Sequence, residues 1–187
     1  MHRRLIVTGL ALALVGGVAT KAIAATSVDV GAAFVEAAVD VCLEASLSGG
    51  GIANLPPAVR ARLTVASPEM RGLVRSSNPN GEIWEIASAL GYMVITEPSP
   101  GECEVFTYGA PVERTFKTTI AAARKKVPAL NPVPVTPGYD PIVYRLETQE
   151  GPAGVTLDLH GAEPGAPGHM FRFPTLTART TRKPGIQ

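Results

Sequence analysis

The stretch GEIWEIASALGYMVITEPSPGECEVFTY, residues 81–108, decides the fold. Three short runs rich in β-branched and aromatic residues lie within it, Glu82 to Ala87, Tyr92 to Glu97 and Glu102 to Thr107. Leu90-Gly91 separates the first two and Pro98-Ser99-Pro100-Gly101 the second two, so the spacing predicts an antiparallel meander. Asn78-Pro79-Asn80-Gly81 supplies a strong turn just before it. Side chains alternate along a strand, which puts Cys103 and Val105 on one face.

Working outward, two helices bracket this sheet. Asp29 caps a helix expected from Val30 to Leu47, stopped by Ser48-Gly49-Gly50-Gly51, and Phe34, Ala38, Val41, Cys42 and Ala45 make its apolar stripe. Pro111 opens a second helix running to Val127, with Val112, Phe116, Ile120, Ala123 and Val127 as its buried side. Arg124, Lys125 and Lys126 close it, where they complement the helix dipole. Between the first helix and the meander, Pro56-Pro57 and Pro68 bound one short helix, and Pro68 to Val74 begins another. Residues 128–141 carry five prolines and read as a semi-rigid connector. Beyond it, Ile142 to Thr148 and Gly154 to His160 read as strands in residues 142–175, with His169 to Phe173 as a third. Residues 176–187 are polar and basic and are expected to fray. The expected fold class is α+β: an antiparallel sheet packed by two main helices and tied by one disulfide, with the membership of the C-terminal strands in that sheet left open.

The N-terminus reads as an address. Met1-His2-Arg3-Arg4 is basic, Leu5 to Ala19 is an apolar run too short for a membrane span, and Ala22-Ile23-Ala24 offers small residues to a signal peptidase. Residues 1–24 are therefore expected to be a signal peptide cut before Ala25. The mature chain, opening with a helix-and-sheet domain over residues 25–127, is then delivered to an oxidising compartment, the periplasm. Membrane contact is expected only through the signal segment before its removal. The two cysteines, Cys42 and Cys103, should then pair. Closing a loop of about 60 residues contributes on the order of 4 kcal/mol in the chain-entropy model.

The whole chain carries a formal net charge of +1, and loss of Arg3, Arg4 and Lys21 leaves a slightly acidic domain, which argues against nucleic-acid binding. Asp158, His160, Glu163 and His169 are the stretch able to supply metal ligands or an acid/base pair: Asp158 and His160 are two apart and share a strand face, and the Gly/Pro-rich segment after them can turn His169 back. Their spacing matches no recurring metal motif, and no sequence feature calls for a cofactor. Neither a Gly-x-Ser-x-Gly elbow nor a Cys-x-x-Cys pair occurs. Glu102/Glu104 and Glu82/Glu85 are carboxylate pairs of the kind exposed strands ordinarily carry. Trp84 and Tyr92 flank the first hairpin, where aromatics pack in the core or across strands more often than they hold a ligand; a binding surface is to be sought first at these two, with Tyr108 and Tyr139 behind them.

The order Phe34, Cys42 in the first helix, Trp84, Gly91 and the Cys103-Glu104-Val105 strand resembles a group of small exported two-cysteine proteins of unknown function in Gram-negative bacteria, over about residues 31–127. The resemblance implies an exported helix-and-sheet domain and brings no activity to any residue. The leading expectation is a non-enzymatic interaction module of the cell envelope, acting on another envelope protein or a small ligand. The alternatives are a metal-assisted hydrolase using Asp158, His160 and His169, and a structural accessory component.

Overall fold

A computed structural model describes residues 29–74, 82–86, 93–99, 101–136, 141–148 and 154–183. The N-terminal segment, Gly91, Tyr92 and Tyr139 lie outside the described residues.

The first helix starts where its cap is. The Asp29 carboxylate accepts the Gly31 N–H at 2.9 Å and so satisfies one of the donors that a helix start leaves unpaired. Helix α1, Val30–Glu36, passes without a break through a π-helical segment, Ala37–Leu43, into α2, Glu44–Ser48. Gly49 ends it at φ 68°, a left-handed conformation that glycine adopts freely. The wider π turn shifts the phase of the apolar stripe, and every residue of Ala37–Leu43 except Asp40 is buried. A short 3-10 turn, Ile52–Asn54, and α3, Pro57–Arg60, come next. The fully buried Ile52 and Leu55 join the same core, and Arg62 pairs with Glu36 at 2.8 Å.

The strands are β1 Leu63–Val65, β2 Ile83–Ile86, β3 Met93–Thr96, β4 Glu102–Tyr108, β5 Asn131–Val133, β6 Ile142–Glu147, β7 Val155–Ala162 and β8 Thr175–Arg182, with α4, Pro68–Val74, between β1 and β2 and α5, Val112–Lys126, between β4 and β5. They form one eight-stranded sheet in the order β1-β2-β3-β4-β8-β7-β6-β5, antiparallel throughout. Two four-strand meanders are thus joined through their last strands, β4 and β8. The α+β class, the antiparallel sheet and the disulfide agree with the sequence reading, and the C-terminal strands do belong to the main sheet.

Three expectations are corrected. Of the polar end expected to fray, residues 176–182 belong to strand β8, in the middle of the sheet and paired on both sides over Thr175–Arg182, while residues 184–187 lie outside the described residues. The proline-rich connector contains the edge strand β5 and the fully buried Leu130; Pro132 is tolerated because an edge strand has a side that needs no donor. His169 to Phe173 is an irregular loop, not a strand.

Both long helices pack on the same face of the sheet. The π segment lies over Cys103, Val105 and Thr107 of β4 and over Leu176, Ala178 and Thr180 of β8, while α5 covers β6 and β7. Cys42 and Cys103 are bonded, with their Cα atoms 5.1 Å apart and both side chains buried, so the bridge ties helix to sheet at the β4–β8 seam. Opposite Cys103 on β8 is Thr180, whose hydroxyl donates to the Cys42 carbonyl at 3.0 Å and lies 2.8 Å from Ser46 Oγ. Helix α5 comes close to β7 because Gly161 has no side chain; a Cβ there would overlap Val112 and press on the Phe116 ring. Phe116 sits against Phe34 and Tyr144, with ring centroids 5.9 and 6.2 Å away.

This packing makes both the bridge and the glycine measurable. Replacing both cysteines by alanine is expected to lower unfolding free energy by about 3–5 kcal/mol in denaturant titration, and native protein should give no free thiol without reductant. Gly161→Ala should cost about 1–3 kcal/mol by the same measurement, since α5 must move off the sheet to admit one methyl group.

Candidate functional site

Strand alternation leaves a second face, opposite the helices, and pairing register arranges its side chains in rows. Nearest the start of β4 is Glu102, Thr181, Thr156 and Glu147. The next row is Glu104, Arg179, Asp158 and Arg145, four consecutive partners of alternating charge on β4, β8, β7 and β6. Then come Val94, Phe106, Thr177, His160 and Val143, and after them Tyr108, Thr175 and Ala162. The face therefore grades from charged at one end to aromatic and apolar at the other. Most of these side chains are half-buried.

The charged row is a ladder of unequal rungs. Arg145 holds Asp158 in a two-pronged pair, Nε to Oδ1 at 2.5 Å and Nη2 to Oδ2 at 3.1 Å. The hydrogen bond and charge of Asp158 raise the Arg145 pKa, keeping it cationic. Arg179 reaches Glu104 only at 3.9 Å. Lys183 closes on Glu147 at 2.9 Å in the adjoining row.

At the apolar end the β7–β8 loop rises beside the face. Phe106 meets Tyr108 edge-on at 6.4 Å, and Tyr108 stacks on Phe173 at 6.2 Å with 24° between the rings. The loop is pinned at several points: Ala166 N–H donates to Glu163 O at 3.1 Å, His169 N–H to Ala166 O at 3.0 Å, and Gly109 N–H to Pro174 O at 3.0 Å. The His169 ring lies beside Phe171 at 5.7 Å, and its Nε2 is 3.0 Å from the Phe173 carbonyl. Yet Met170 is 91 % exposed, Phe171 57 % and Phe173 59 %.

Asp158 and His160 share the open face, as their spacing requires. They are not joined there by His169, which is held within its own loop, and among the described residues no three carboxylate, imidazole or thiol side chains gather as a metal ion would need. Asp158 instead spends its oxygens on Arg145. Trp84, the first place to look for a binding surface, takes the other reading of an aromatic at that hairpin: it is 9 % exposed and belongs to the core on the helix side, opposite Ile95 of β3 and Val65 of β1. The residue expected beside it, Tyr92, is outside the described residues. The aromatic surface lies elsewhere, at Phe106, Tyr108, Phe171 and Phe173, and the sequence holds a signal for part of it. If Cys103 and Val105 face the helix, two-residue alternation places Phe106 and Tyr108 on the opposite side.

A small apolar cleft of about 410 Å³ lies at the other sheet edge, between Ile120 of α5 and Pro132, Val133, Pro134 and Tyr144. Among the described residues no helix is long and apolar enough to cross a membrane. No protein-family model matches the chain, and neither curated proteins nor solved structures give a match.

The ladder makes a graded expectation. Arg145→Met strips a charged partner from the shielded Asp158 and should cost about 1–3 kcal/mol in denaturant unfolding, whereas Arg179→Met, from a long and half-exposed pair, should cost under about 1 kcal/mol.

Proposed function

We propose that this chain is an exported, periplasmic, disulfide-bonded interaction module that works without catalysing a reaction, holding an envelope protein or a small ligand against the open face of its sheet. The observation that carries the reading is the division of labour between the two faces. Among the described residues both long helices and the disulfide serve one side, while the other presents a charge ladder running into an aromatic end. Such a surface offers orientation through its charges and affinity through its rings, the pairing of roles that protein recognition uses. Export is supported by the basic, apolar and small-residue order of residues 1–24 and by a buried disulfide, a bond that persists in oxidising compartments.

A side chain placed in the middle of the face tests the reading without touching the core. Thr177 is half-buried between Phe106 and His160. Protein recovered from the envelope fraction should begin at Ala25 by mass spectrometry and enrich a discrete partner or ligand in pull-down, and Thr177→Trp should abolish that enrichment at an unchanged melting temperature. An intact Met1 on cytosolic protein, or equal enrichment by the Thr177→Trp variant, overturns it.

A further inference from the structure

Exposed large hydrophobic side chains are concentrated in one place: among the described residues they are Val65 and three members of one loop, Met170, Phe171 and Phe173. Arg172, also exposed, stands between the two phenylalanines. The loop is held in shape by hydrogen bonds at both ends, so its apolar tip is not a collapsed segment turned outward by chance.

Its position in the fold singles out what it faces. Val112 N–H donates to Glu163 Oε1 at 2.9 Å, and Gly109 N–H to Pro174 O, which binds both ends of the loop to the turn between β4 and α5. The same turn receives the start of the first helix: a Cβ on Gly31 would lie 3.7 Å from Ala110 Cβ and 3.1 Å from Thr115 Oγ1, and Asp29 and Pro111 line one small cavity. The point at which the N-terminal segment enters the domain and the apolar loop are therefore at one end of the molecule. The apolar run ends at Ala19, and the stretch from there to Asp29 reaches at most about 35 Å even when fully extended. While that run is in a bilayer, as the export reading has it, this end of the domain is held within about 35 Å of the bilayer surface.

We infer that the His169–Phe173 loop is a membrane-contact element, placing Met170, Phe171 and Phe173 among the acyl chains of an anionic bilayer with Arg172 at the headgroups. Aromatic rings and a basic side chain on one small projection are the composition that an interface between lipid and water favours. A second copy of the chain fits less well, because three side chains at a loop tip fall far short of the roughly 800 Å² per partner that a stable interface buries. The contact departs from the expectation that membrane contact ends with the signal segment: it outlasts removal of residues 1–24, since all of its side chains belong to the domain itself. The side of the membrane and the tether argument rest on the export reading; the exposed side chains of the loop do not, and the vesicle test judges the contact separately.

Vesicle flotation decides it. The protein as recovered from the envelope fraction is floated with vesicles of phosphatidylcholine alone and of phosphatidylcholine mixed with phosphatidylglycerol. Binding to the mixed vesicles is expected, falling about tenfold or more in M170S/F171S. Arg172→Gln should weaken it about fivefold, on the anionic vesicles only. Met170 and Phe171 are exposed and outside the Tyr108 stack, so thermal melting of the double variant should match that of the parent. No flotation, or flotation indifferent to M170S/F171S, overturns the inference. Concentration-dependent self-association lost in the same variant, without flotation of the parent, assigns the loop to a second copy and overturns it too.

Discussion

The seam between β4 and β8 is the constraint on which the molecule depends. Each half of the chain builds its own meander, and each meander leaves its last strand unpaired on one side until the two are brought together. The pairing register runs the full length of both strands, from Glu102 with Thr181 to Tyr108 with Thr175. Over this seam lies the π segment, fastened by the Cys42–Cys103 bond to one strand and by the Thr180 hydroxyl to the other. A covalent link to β4 and a buried hydrogen bond from β8 converge on the same residue, Cys42. That convergence fixes the helix across the joint and gathers the apolar side chains beneath it, from Phe34 to Leu176, into the main core, apart from a small cluster of Ala66, Ile83 and Val94.

The two faces then acquire different tasks. Leucines, alanines and glycine on the inner side of β7 and β8 accept the helices, and the absent side chain of Gly161 sets how close α5 can come. On the outer side the same strands offer threonines, charges and rings. Because adjacent strands run in opposite directions with matched register, residues far apart in the chain form continuous rows, and Glu104, Arg179, Asp158 and Arg145 alternate in sign across four strands. Opposite charges set side by side favour this register over its one-residue slips, which would also turn the inner apolar set outward.

Legibility in the residues is governed by local signals. Asp29 and Gly49-Gly50-Gly51 mark the ends of the first helix, Pro111 the start of α5, and proline and glycine clusters the turns of the first meander; all act over a few residues, so the elements they bound are legible. The bond between Cys42 and Cys103 is legible from the number of cysteines together with the expectation of export. Strand β8 is not. Its inner side offers only Leu176, Ala178, Thr180 and Arg182, and Thr180 is at home in the core because a helix carbonyl 138 residues away accepts its proton, which no local pattern discloses. The side on which Trp84 lies is hidden for a related reason: Ile83, Trp84 and Ile86 put apolar groups on both faces of β2, and only the register with β3 tells which side meets the helices. The exposed loop reads as a strand because it is rich in phenylalanine, although the prolines and glycines of residues 164–168 leave it no partner to pair with.

The place of β8 at the middle of the sheet has a consequence for the order of events in the chain's life. A polypeptide made or threaded from its N-terminus presents β4 long before Thr175–Arg182 arrives, and until then both meanders keep an open edge and the core beneath the helix lacks half its floor. Assembly waits for the last strand, so the chain stays pliable through most of its emergence and consolidates only at the finish. A premature stop between the end of β7 and residue 175 would leave not a slightly shortened domain but two incomplete sheets with no strand to join them.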